Sequence, residues 1–122
     1  MDTNSIIEFL GLKFQPKAME FLYKIVAETP YISVMSEIEV LSLKGDPDEY
    51  LMLVDFVNFA KVIALERAVI DQTILLRQLY KMKTPDAIIA ATALVNKMTL
   101  ITRNTADFKK IEGLMLLNAH EL

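Results

Sequence analysis

Apolar side chains recur along this chain at two spacings, and the alternation between them predicts the elements. Three- and four-residue steps through Ile6, Ile7, Phe9 and Leu10 predict a short helix capped by Asn4 or Ser5 and ending at Gly11. A second helix follows Pro16 on the stripe Met19, Phe21, Leu22, Ile25 and Val26 and stops at Thr29-Pro30. Tyr31 to Met35 reads as a short strand, after which Ser36 caps a helix through Ile38, Val40 and Leu41 that ends near Gly45. Asp46-Pro47-Asp48 is a turn that opens a helix through Tyr50, Leu51, Leu53, Val54 and Val57, and Lys61 to Leu65 reads as another strand. From about Glu66 a long helix to Lys81 carries Val69, Ile70, Ile74, Leu75 and Leu79 as its inner stripe, with Arg67, Asp71, Gln72, Gln78 and Lys81 outward.

The segment Lys83 to Val95 departs from this amphipathic pattern. After Asp86 its only polar side chain is Thr92, so it has no solvated face and belongs among other elements. Thr84 is placed to cap it, Pro85 suits its first helical position, and the helix dipole favours Asp86 in the first turn. Met98 to Thr102 and Leu114 to Leu117 are then short strands flanking a turn-rich loop from Arg103 to Phe108. Helices alternating with short apolar strands predict an α/β domain whose mostly parallel sheet is covered on both faces.

Length and composition narrow the picture further. The 122 residues fit one domain spanning 1–122. At 53% hydrophobic the chain is somewhat apolar for a globular protein, which implies a buried helix, a subunit interface, or both. Without cysteine there are no disulfides, thiolate metal sites or cysteine nucleophiles, and His120 is the one histidine. The longest apolar stretch, Leu51 to Leu65, is interrupted by Asp55, Asn58 and Lys61 and is too short to cross a bilayer. No signal peptide begins at Met1-Asp2-Thr3-Asn4, so a soluble, cytoplasmic protein is expected. A net charge of −3 argues against holding nucleic acid by bulk attraction, yet Lys81, Lys83, Arg103, Lys109 and Lys110 lie close in sequence to the two acidic motifs of the C-terminal half.

The acids are where chemistry is expected. In open α/β sheets the functional crevice lies beyond the carboxyl ends of the strands. Glu37 and Glu39 follow one predicted strand, Asp107 follows another, Asp86 opens the buried helix and Asp2 precedes the first helix. Each alone has an ordinary explanation as a turn or first-turn acid. Gathered together they would repel one another and raise their own pKa values, a conflict that a divalent cation resolves. Hard oxygen donors point to magnesium or manganese, and a carboxylate-held magnesium suits phosphodiester hydrolysis.

Four segments, in order, resemble the PIN-domain ribonucleases and especially the VapC toxins: Asp2-Thr3-Asn4; Ser33 to Ser36 followed by Glu39; Pro85 to Ala93; and Thr102-Arg103-Asn104 followed by Asp107-Phe108. The resemblance implies a PIN-like three-layer α/β/α fold with a small parallel sheet. It also implies a Mg2+- or Mn2+-dependent endoribonuclease with Asp2, Glu39, Asp86 and Asp107 as catalytic and metal-holding carboxylates. Thr3, Asn4, Thr102 and Asn104 would be supporting groups, and Arg77 falls where similar proteins often carry an arginine. The implied partners are RNA, a small antitoxin and a second copy of the chain. Such proteins usually begin with a buried strand ending at the first aspartate, whereas here only Met1 precedes Asp2. Four missing apolar side chains would forfeit roughly 6–12 kcal/mol of burial. Either the chain as given starts late or its sheet is built without that strand. The alternative function is a PIN-like module that binds RNA or protein without catalysis. A receiver-type phospho-acceptor or an aspartate-nucleophile phosphatase fits less well, since each wants a second acid near Asp2.

Overall fold

The first helix, α1 (Thr3–Leu10), begins a full residue or two before the caps expected at Asn4 or Ser5, because the Asp2 carboxylate itself accepts the Ser5 N–H and serves as the cap. The computed structural model describes residues 1–122. Helix α2 (Pro16–Ala27) starts on its proline as expected. Strand β1 is shorter than expected, Tyr31–Ser33, because the cap of α3 (Val34–Leu41) is Ser33 rather than Ser36: its hydroxyl accepts the Met35 N–H at 2.9 Å and draws Val34 and Met35 into the helix. Helix α4 (Pro47–Phe59), capped by Asp46, leads to β2 (Lys61–Ile63). Helices α5 (Arg67–Leu79) and α6 (Thr84–Val95) follow. Thr84 is the first residue of α6 and not its cap, a position held by Lys83 without a side-chain hydrogen bond.

Strand β3 is only Leu100–Ile101. Met98 is taken up by the end of α6, where Lys97 adopts φ 54°, the Lys97 N–H bonds the Leu94 carbonyl at 3.2 Å and the Met98 N–H bonds that of Ala93 at 2.9 Å. That pair of bonds satisfies the last carbonyls of the helix at the expense of the strand. The expected loop after it holds a single helical turn, α7 (Thr105–Phe108), before β4 (Leu116–Leu117) and a final 3-10 turn, Ala119–Glu121.

The strands pair in parallel, β1 with β2 and β3 with β4, as two separate ribbons. Successive residues of a strand face opposite sides, and here they enter different cores. Ile101 and Leu117 pack with Ile6, Phe9, Leu22 and Val40 from α1 to α3, whereas Leu100 and Leu116 pack with Val69, Leu76 and Ile89 from α5 and α6. This is the expected α/β/α layering. Between the ribbons lies the chain terminus: the Asp2 N–H bonds the Ile101 carbonyl at 3.0 Å, and the Met1 α-amino group faces the Tyr31 carbonyl at 3.4 Å. Burial lowers the pKa of that amino group to about 6, against a smaller opposing pull from Asp2.

Helix α6 is buried as its composition predicts, with Ala87, Ile89, Ala90, Ala91, Thr92 and Ala93 shielded and the Thr92 hydroxyl returned to the Ile88 carbonyl. Its alanines admit α5 closely, but α5 meets it with Val69, Thr73 and Leu76. The expected inner stripe of α5 is therefore wrong in part: Ile74, Leu75 and Leu79 lie on the solvent side. No helix is long and apolar enough to cross a membrane.

Candidate active site

Asp2 is the most constrained of the acids. One carboxylate oxygen accepts the Ser5 N–H at 2.9 Å and the other accepts the Thr102 hydroxyl at 2.5 Å, while its backbone is tied to β3. Thr102 is fully buried, and its oxygen also accepts the Asn104 N–H at 3.0 Å. Asn104 in turn donates from its side-chain amide to the Asp107 carboxylate at 2.8 Å. A continuous chain of hydrogen bonds thus runs from Asp2 through Thr102 and Asn104 to Asp107. On the other flank, the Thr3 hydroxyl donates to Glu39 at 2.6 Å, joining the start of α1 to α3.

Asp86 stands half-buried in the first turn of α6. Its carboxyl is pushed above the ordinary value, first by burial and then by repulsion from Glu39, Asp107 and Asp2, with Lys83 pulling weakly the other way. Asp86 thus lies within electrostatic reach of Asp2, Glu39 and Asp107. Glu37, two residues before Glu39 on α3, is not among the groups that shift it. The side chains nevertheless stop short of a formed metal cage, since no three of them converge on a common coordination point.

The remaining expected residues divide. Thr3, Thr102 and Asn104 hold carboxylates directly. Asn4 is exposed. Arg77 lies on the outside of α5, its Nε donating to the Met82 carbonyl at 3.4 Å, with no acidic partner. Lys81, Lys83, Lys109 and Lys110 are exposed, and Lys110 reaches the Lys81 carbonyl at 3.2 Å. Arg103 instead turns to Glu8 at 3.6 Å, and the same carboxylate oxygen meets His120 Nε2 at 2.6 Å. Sequence reasoning left His120 without a role; it fastens the C-terminal turn to α1, packed on the Phe14 ring at 4.2 Å.

Ser5 was also missed. Its N–H holds Asp2 while its hydroxyl donates to the Ile101 carbonyl at 3.1 Å, so it locks the acid and β3 together. The available signal was the Asp2-to-Ser5 spacing, that of a cap to the third helical residue. Ser36, three residues before Glu39 on α3, is fully buried, and its hydroxyl has no hydrogen-bond partner.

This arrangement of carboxylates on a layered α/β scaffold has relatives. Residues 1–114 match the family model described as PIN domain. The chain belongs to the PIN-domain family. The fold of this PIN domain is VapC-like, being shared with chains of toxin–antitoxin and VapBC complexes. A chain of a toxin–antitoxin complex from Klebsiella pneumoniae is 29% identical, with a TM-score of 0.75 over 99% of this chain and 97% of that one. A chain of a DNA-bound VapBC complex from Salmonella typhimurium superposes with a TM-score of 0.82 at 20% identity, covering 97% of this chain and 95% of its own. A chain of the FitAcB structure from Neisseria gonorrhoeae gives 0.76 at 22% identity, over 99% of this chain and 97% of that one. No curated protein matches the chain.

Proposed function

We propose that this PIN domain is a divalent-metal-dependent endoribonuclease and the toxin component of a type II toxin–antitoxin pair. The observation that carries the reading is the gathering of Asp2, Glu39 and Asp107 around Asp86 at the start of α6, where burial and then their charges raise the Asp86 carboxyl above its ordinary value. A cluster that disfavours its own ionisation is one that a cation would relieve. The donor chemistry fits a hard divalent ion such as Mg2+ or Mn2+: every side chain concerned is a carboxylate and none is a thiolate or imidazole. Asp2, Glu39, Asp86 and Asp107 would hold it.

When bound, such an ion supplies charge neutralisation at a phosphodiester and activation of a water molecule. The protein's part is placement. Asp86 is fixed by a helix that cannot shift without disturbing the α5 packing, and Asp2 is fixed by Ser5 and Thr102. Thr3 and Asn104 restrain the more exposed Glu39 and Asp107. The exposed Lys81, Lys83, Lys109 and Lys110 provide local positive charge for RNA phosphates on a chain that is acidic overall. Exposed Ile74, Leu75 and Leu79 on α5 support a homodimer, and the toxin–antitoxin and VapBC relatives support a small antitoxin as the protein partner. The site of action proposed with this reading is the cytoplasm, where RNA is met.

The test is cleavage of single-stranded and structured RNA across a magnesium and manganese titration. Wild type should cut, and Asp86→Asn should lose cleavage while melting at least as high as wild type. Normal cleavage by Asp86→Asn would overturn the site assignment. One feature favours the second reading, a PIN-like module that binds RNA or protein without cutting: the carboxylates do not yet converge on one coordination point. RNA retention without cleavage at any metal concentration would select it.

A further inference from the structure

One carboxylate oxygen near the end of α1 serves two partners. Glu8 Oε2 meets His120 Nε2 at 2.6 Å and an Arg103 guanidinium nitrogen at 3.6 Å. The shorter contact is a hydrogen bond between side chains that are 19% and 25% exposed. The longer one exceeds hydrogen-bond reach and involves a guanidinium that is 68% exposed. Glu8 lies in the last turn of α1, where the helix dipole disfavours a carboxylate, so it needs a donor beside it. His120 alone meets that need. Arg103 is thus the dispensable partner: it makes no hydrogen bond, and so exposed an ion pair is parted at little cost.

The backbone of Arg103, by contrast, is fixed beside the acids. Thr102 before it is fully buried and donates to Asp2, and Asn104 after it donates to Asp107. The lysines gather at the α5–α6 turn and the end of α7, with Lys110 on the Lys81 carbonyl at 3.2 Å, whereas Arg103 reaches α1. We propose that Arg103 binds a phosphate of the RNA backbone, a role that rests on RNA being the substrate as read above, and that Glu8 holds its guanidinium until a phosphate takes it over. A guanidinium gives a phosphate two parallel N–H bonds, where Glu8 offers one distant oxygen, so the exchange favours the phosphate. His120 stays on Glu8 throughout, and no carboxylate is left unpaired when Arg103 departs. The contact is to the backbone, so it adds affinity without preference for a base.

The experiment measures binding of a labelled single-stranded RNA to Asp86→Asn protein across a salt series, so that no cleavage intrudes. Adding Arg103→Gln should weaken binding about fivefold at about 0.1 M salt and flatten the salt slope by about 0.7, the share of one phosphate contact to a single strand. Arg103→Lys should recover most of that slope, and Arg67→Gln, on α5 and paired with Asp71, should leave it unchanged. Glu8→Gln keeps an acceptor for His120 while freeing Arg103, and should tighten binding about 1.5- to fivefold. That gain should vanish when Arg103→Gln is also present. Additive effects of the two substitutions would overturn the proposal, because Glu8 would then act only as a distant charge. An unchanged salt slope in Arg103→Gln would overturn it as well, and a lowered melting temperature alongside would make the pair a brace for the C-terminal turn. Either result leaves RNA binding, and with it the nuclease reading, standing, whereas no RNA binding even at low salt would remove both.

Discussion

At the scale of single residues, Asp86 sits in a setting that disfavours its charge, half-buried and facing three other acids. Its raised carboxyl means that the folded protein binds a proton more readily there than the unfolded chain. Between the ordinary value of 3.8 and the raised one, stability without metal therefore falls as pH rises. Asp86→Asn should flatten that slope and leave the metal-free protein at neutral pH more stable by less than about 1 kcal/mol, since the group is partly solvated. Denaturant unfolding at several pH values checks both the sign and the slope. Thr102→Val is the complementary change. It removes the donor that orients Asp2 and the acceptor for Asn104, and should cost about 1–3 kcal/mol by leaving buried polar groups unpaired. It should also weaken cleavage more than stability alone explains, a difference seen by assaying well below the melting transition. Ser36→Ala, by contrast, deletes a buried hydroxyl that has no partner and should leave urea stability unchanged or raised.

At the scale of elements, α6 is the rigid mount and α5 its buttress. Ala90 and Ala91 are completely buried where the two helices meet, so Ala90→Leu should overpack the contact and cost about 1–3 kcal/mol, measured as a lower urea midpoint at unchanged slope. The existence and order of these helices were legible because their apolar periodicity is strong. Strand lengths were not, because helix ends competed for the same residues: the Ser33 hydroxyl took Val34 and Met35 into α3, and the closing bonds of α6 took Met98 from β3. Periodicity also failed on α5, where Thr73 goes inward and Ile74 outward. A hydroxyl that can return to the Val69 carbonyl, as Thr73 does at 2.7 Å, is buried at little cost. The acids of the candidate site were legible as candidates from their positions beside predicted strand and helix ends. Ser5 and Ser33, which hold Asp2 and open α3, were not, because a serine's local bonds depend on where the helix starts to within one residue.

At the scale of the whole molecule, the layers bring together segments far apart in sequence. Asp2 and Thr102 are bonded across 100 residues, and Thr3 and Glu39 across 36. Asp2 stands between the two ribbons, tied to β3 by its backbone, and Glu39, Asp107 and Asp86 reach its neighbourhood from α3, α7 and the start of α6. Metal binding is therefore expected to stabilise the fold as a unit, by an amount set by ligand concentration over the dissociation constant. The decisive measurement is a calorimetric titration of Mn2+ into wild type and Asp86→Asn at neutral pH. The account predicts saturable binding to wild type and its loss in Asp86→Asn, with the variant still folding cooperatively. Equal binding by the two proteins, or none by wild type, would contradict it.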